Sequence, residues 1–195
     1  MLLSAEHVLS VGGIDDFTVA GVAEHAGMSV GAIYRRFSGK EQLLGAVKDQ
    51  LLEQLEADVD EALRTAEPSL GGIVEAFVRA MARTFSARTR VFPELLSGQP
   101  AEGVERGLQA LDTIQRAFID SAEPHLDEIA RPRPQEAVGF AARSIIGSCV
   151  HRAASCDAWP DDLTWTTWAR ETTEMTTTYL TTNPTGQFRQ TDSFA

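Results

Sequence analysis

The chain has 195 residues, 43% of them hydrophobic and 23% charged, and its 17 basic and 28 acidic side chains leave a net charge of −11. That suits one domain, or a small domain fused to a larger one, with ample apolar content for a core; collagenous or disordered composition and a membrane span of roughly 18 apolar residues are excluded. Two cysteines make no disulfide framework, the opening Met1–His7 has no basic stretch of a secretory signal, and a reducing cytoplasm is the expected setting.

Charge is unevenly placed. A pI near 4.8 argues against broad, charge-driven binding to nucleic acid, though not against a small local surface. The four basic residues of the first 48, Arg35, Arg36, Lys40 and Lys48, all fall within one short stretch, and they include both lysines of the chain. An acidic body with one compact basic edge results.

The periodicity reads helix throughout, and an all-α fold is predicted. Leu2, Leu3, Ala5, Val8 and Leu9 form an apolar stripe closed by Gly12 and Gly13. Thr18 caps a second helix with Val19, Val22, Ala23 and Ala26 inward, ended by Gly27. Ser29 caps a third, Val30–Phe37, that turns Ile33 and Phe37 inward. A long helix follows over Lys40–Arg64, with Leu43, Val47, Leu51, Leu55, Val59 and Leu63 in near-heptad spacing. Further helices are expected over Leu70–Arg90, Val104–Ala122, Gln135–Ser155 and Asp161–Thr182. Between them, Pro93–Gly103 is expected to hold one helical turn at most.

Thr18–Phe37 has the arithmetic of a helix-turn-helix: two short helices, a three-residue turn, and a glycine where a positive φ is needed. In such a unit the second helix enters the major groove of DNA. Its outward positions would be Ser29, Val30, Gly31, Ala32, Tyr34, Arg35 and Arg36. The arginines are the side chains there with a bidentate fit to guanine, while Val30 and Ala32 offer apolar contact to thymine methyls.

The segment FTVAGVAEHAGMSVGAIYRRFSGKEQLLGAV, Phe17–Val47, resembles the DNA-binding segment of the TetR (tetracycline-repressor-like) family of transcriptional regulators. Thr18, Ala26, Gly27, Ser29, Gly31, Ile33, Tyr34, Phe37, Lys40 and Glu41 carry much of the likeness. The resemblance implies that Thr18, Tyr34 and Lys40 bind phosphates, and that Ser29, Val30, Gly31, Ala32, Arg35 and Arg36 lie at the groove. It departs from the family at Val30, where Lys or Arg is common, and at Ala32, where Thr or Ser is common. A basic arm ahead of the first helix is also not among these residues.

The same resemblance divides the chain into a DNA-binding domain at 1–47 and a helical ligand-binding and dimerisation domain at 48–183, and the lack of periodicity beyond it leaves 184–195 as an expected flexible tail. It implies a homodimer through the last two long helices, where Gly139, Ala142, Gly147 and Ala154 allow close helix approach. It also implies double-stranded DNA with a palindromic operator as one partner and a small, mostly apolar effector as another. Phe77, Met81, Phe85, Phe118, Phe140, Ser144, Cys149 and Trp165 are the candidate pocket residues, although apolar residues at helical spacing are ordinarily core.

Two rival readings remain open at this level. For an enzyme, the four histidines are scattered, no nucleophile elbow or phosphate loop is present, and no metal or cofactor is expected. Cys149 and His151 point about 200° apart on a helix, so they cannot share a metal, and Cys156 is expected to be an inert thiol. The other rival is a dimeric helical interaction module with degenerate or lost DNA binding. It is motivated by the acidic pI, Val30 and Ala32.

Overall fold

A computed structural model describes residues 1–89, 91, 101–155, 159 and 162–183, and of 101–104 the backbone alone. The helices are α1 (Leu2–Asp16), α2 (Val19–His25), α3 (Val30–Tyr34), α4 (Lys40–Arg64), α5 (Leu70–Ser86), α6 (Ala101–Ala122), α7 (Pro134–Ser155) and α8 (Trp165–Thr181), with a 3-10 helix over Glu123–Glu128 after α6. Among the described residues there is no strand.

The differences from the sequence reading sit at helix ends, where local signals compete. The glycine pair kinks α1 rather than ending it: Gly13 takes φ +66, and helical turns resume to Asp16 so that Phe17 enters the core. Regular α3 stops at Tyr34, but the Phe37 amide still donates to the Ile33 carbonyl at 3.0 Å. α5 ends at Ser86 and α8 starts at Trp165, where the Thr164 hydroxyl accepts from the Thr167 amide at 3.0 Å. Residues 101–103 belong to α6 rather than to the preceding loop. Residues 92–100, Cys156 and the tail from 184 lie outside the described residues.

Two apolar cores form along α4. Its first half supplies Leu43, Val47 and Leu51 to a cluster with Ala5, Leu9, Phe17, Val22, Ala23 and Ile33. Its second half supplies Leu55, Val59 and Leu63 to a larger cluster with Phe77, Met81, Phe118, Ile145 and Leu180. Each such side chain fully withdrawn from water contributes about 1.5–3 kcal/mol, and one uninterrupted helix joins the two clusters.

In the larger body α5 is central, packing on α4 and α8. It is anchored at its start by two caps. The Ser69 hydroxyl accepts from the Gly72 amide at 3.1 Å, and the Glu128 carboxylate accepts from the Leu70 amide at 3.2 Å. Orphan amides of a helix start are thereby satisfied, and the carboxylate also meets the positive end of the helix dipole. No helix among the described residues is long and apolar enough to cross a membrane.

Candidate nucleic-acid interface

The turn between α2 and α3 is closed by two backbone hydrogen bonds. The Met28 amide donates to the Ala23 carbonyl at 2.9 Å and the Gly27 amide to the Glu24 carbonyl at 3.1 Å, with Gly27 at φ +66. This is the glycine-dependent helix ending in which both donors reach back over the last turn. The chain is thereby redirected within three residues, and Ala23, almost fully buried, leaves room for Ile33 of α3 to pack completely out of water.

Both short helices are capped by hydroxyls. Thr18 Oγ1 accepts from the Gly21 amide at 3.0 Å and Ser29 Oγ from the Ala32 amide at 3.2 Å. A hydroxyl that accepts in this way keeps its own hydrogen as a donor. Both side chains are exposed, so each can donate to an anion while capping its helix.

On α3 the outward positions form one surface. Val30 is 41% and Tyr34 54% exposed, and Gly31, Arg35 and Arg36 are exposed beside them. Ala32 and Phe37 are half-buried. Met28, 39% exposed in the turn, adjoins Ser29 and Val30 and escapes helical periodicity because it lies outside both helices. Its signal is its position, an apolar residue directly after the turn glycine.

Lys40, the first residue of α4, is half-buried, and its Nζ donates to the Ile14 carbonyl at the end of α1. The ammonium thus ties α4 to α1 and retains two N–H groups. His7 of α1 and His25 of α2 stack with ring centroids 4.3 Å apart, so the outer surfaces of these helices meet as well.

The candidate pocket residues do not gather in one place. Phe77, Met81, Phe85, Phe118 and Cys149 are buried in the larger core, with the Phe77 and Phe118 rings 4.7 Å apart. Phe140, 62% exposed, and Ser144 lie on the outer face of α7, because Ala141, Ala142 and Ile145 take the inner one. Ala142 is therefore monomer core rather than an outward small residue, whereas Gly147 and Ala154 do face out. Trp165 is half-buried at the edge of a groove of about 560 Å³ between α5 and α8, whose floor is Ala82 and Ala169 and whose rim carries Arg79, Arg83 and Arg170. A second cleft, also about 560 Å³, runs between α4 and α6 past Asp60, Arg64, Arg116 and Asp120.

Burial pushes the Cys149 thiol far up from its ordinary pKa. His151, two residues on, is exposed, so the two side chains leave α7 in different directions. Among the described residues no group of three or more His, Cys, Asp or Glu side chains converges as metal ligands would.

Residues 2–47 match the family model described as bacterial regulatory proteins, tetR family. No curated protein matches the chain in sequence. Solved structures share the fold over nearly its whole length. One is a putative tetR-family transcriptional regulator from Mesorhizobium loti, with TM-score 0.73 and 14% identity, covering 91% of this chain and 92% of that one. Another is the TetR family transcriptional regulator PfmR from Thermus thermophilus, with TM-score 0.67 and 19% identity, covering 92% and 96%. A third is the transcriptional regulator FadR from Bacillus subtilis in complex with stearoyl-CoA, with TM-score 0.68 and 16% identity, covering 92% and 97%. Residues 2–47 therefore carry the N-terminal segment of the tetR family model, and the chain as a whole shares the fold of these regulators.

Proposed function

We propose that the protein is a cytoplasmic, ligand-responsive transcriptional regulator, a homodimer that represses by occupying a palindromic operator and leaves it when a small, mostly apolar effector binds. The observation that carries this reading is the outward surface of α3. Val30, Tyr34, Arg35 and Arg36 are exposed while Ile33 is buried, on a segment that matches the tetR family model. Val30, Gly31 and Ala32 pass along base edges, and Arg35 and Arg36 meet guanine. The Thr18 hydroxyl, the Tyr34 phenol and the remaining N–H groups of Lys40 hold phosphates and so fix register, while the Ser29 hydroxyl lies at the groove.

Dimerisation is supported by the outward faces of α7 and α8. Phe140 is 62% exposed on the face of α7 that also carries the small, exposed Ser144, Gly147 and Ser148, and Met175 of α8 is equally exposed. Large apolar side chains left in water beside small residues suit an isologous four-helix interface, which would also cover the ring pair of Phe140 and Tyr179, 5.6 Å apart. The proposed division into residues 1–47 and 48–183 then separates DNA reading from ligand binding and dimerisation. Two recognition helices must sit about 34–36 Å apart to enter successive major grooves. A tilt carried by α4 would change that spacing, so effector and operator oppose each other by linkage.

The test is a salt-titrated binding and footprinting assay with the purified protein on DNA flanking its own gene. A twofold-symmetric footprint whose affinity falls steeply with salt is expected. Absence of binding even at low salt would overturn this reading in favour of a helical dimeric interaction module.

A further inference from the structure

We propose that the protein identifies its operator chiefly by thymine methyl groups, read by an apolar patch of Met28, Val30 and Ala32, with base hydrogen bonding supplied mainly by Arg35 and Arg36. This rests on the DNA-binding reading above and adds the chemistry of the half-site. Met28 and Val30 are about two-fifths exposed and Ala32 is half-buried, so the leading end of α3 presents hydrocarbon to solvent. The residues between them supply little else. Gly31 has no side chain, and the Ser29 hydroxyl, which accepts from the Ala32 amide, has a single hydrogen left to donate.

In the major groove the one base feature that an apolar side chain distinguishes is the C5-methyl of thymine; every other base-edge difference is a donor or acceptor. A patch of this kind gains by covering methyls and loses by desolvating amino or carbonyl groups without pairing them. At the far end Arg35 continues the helical geometry of α3 with φ −69 and ψ −20, and Arg36 follows it into solvent. The half-site is therefore expected to hold thymines under the apolar end of α3 and a guanine within reach of Arg35 or Arg36.

The experiment begins by letting the purified protein enrich duplexes from a random-sequence pool. Affinity for the enriched duplex is then compared, at one salt concentration, with that for the same duplex carrying deoxyuridine at the thymines of the half-sites. That replacement removes the methyl and leaves base pairing intact. A loss of about fourfold per contacted methyl is expected, the equivalent of ~0.8 kcal/mol for one buried methylene-sized group. In Val30→Ala the preference for thymine over uracil should shrink, while in Arg35→Ala it should persist although binding weakens. Equal affinity for the two duplexes would overturn the methyl reading and leave DNA binding standing. Failure to enrich any duplex would overturn both.

Discussion

Arg88 Nε donates to Glu6 Oε1 at 2.8 Å, a contact between residues 82 apart in sequence. Both side chains are about four-fifths buried, and Val91, three residues later, is buried in the same core as Leu9 and Phe17. The end of α5 is thus fastened to α1, a second link between the two cores beside the continuous α4. Arginine–glutamate pairs at short sequence spacing, such as Arg79 with Glu75, are largely solvent-exposed, where each is worth only a few tenths of a kcal/mol.

Breaking that link should loosen the N-terminal helices from the body. Glu6→Gln is expected to cost about 1–2 kcal/mol, between the values for exposed and buried pairs, and to split a single calorimetric unfolding transition into two. The double variant Glu6→Arg/Arg88→Glu should recover part of the loss. An unchanged single transition in Glu6→Gln would show that α4 alone couples the cores.

The hydroxyl caps predict a distinction between two substitutions at one position. Thr18→Ala removes the acceptor of the Gly21 amide and should destabilise by about 1 kcal/mol in urea titration. Thr18→Ser keeps both the cap and the donor hydrogen, so it should hold stability and DNA affinity near the parent. A Ser variant as weak in DNA binding as the Ala variant would remove Thr18 from the phosphate contacts.

At the turn the cost is conformational rather than steric. A Cβ added to Gly27 would meet no atom within 4 Å, yet its φ is +66. Gly27→Ala should therefore cost about 1–2 kcal/mol through backbone strain alone, read as a shift in denaturation midpoint with no change in slope.

The outer faces of α7 and α8 give a prediction about assembly. Phe140→Arg should leave the monomer fold intact, since the side chain is mostly in solvent. It should shift the protein from dimer to monomer in sedimentation velocity, because a guanidinium would be buried unpaired in the proposed interface. A dimer that persists at micromolar concentration would place the interface elsewhere.

Cys149 should be chemically silent in the folded protein. Its side chain is fully buried and burial holds it as the thiol, so the reactive thiolate is scarce at neutral pH. Peptide mapping after iodoacetamide treatment should find Cys149 unlabelled under native conditions and labelled in denaturant. Native labelling at the rate of a free thiol would show that the α7 region opens readily.

Local chemistry makes the first part of the chain legible in sequence. Thr18 and Ser29 cap, Gly27 turns, and the spacing of Leu43 to Leu63 fixes Lys40–Arg64 as one helix, because each of these effects acts within a few residues. Helix ends written in weaker signals are less legible, as at Gly13 and Trp165, where burial of Phe17 and capping by Thr164 decide the boundary. Only the tertiary structure decided which apolar faces were already spent. Phe118 and Phe140 read alike in sequence, yet one is sealed against Phe77 and the other stands in solvent. Periodicity marks a face of a helix but not what lies opposite it, and contacts such as Glu6 with Arg88 exist only once distant segments have packed together.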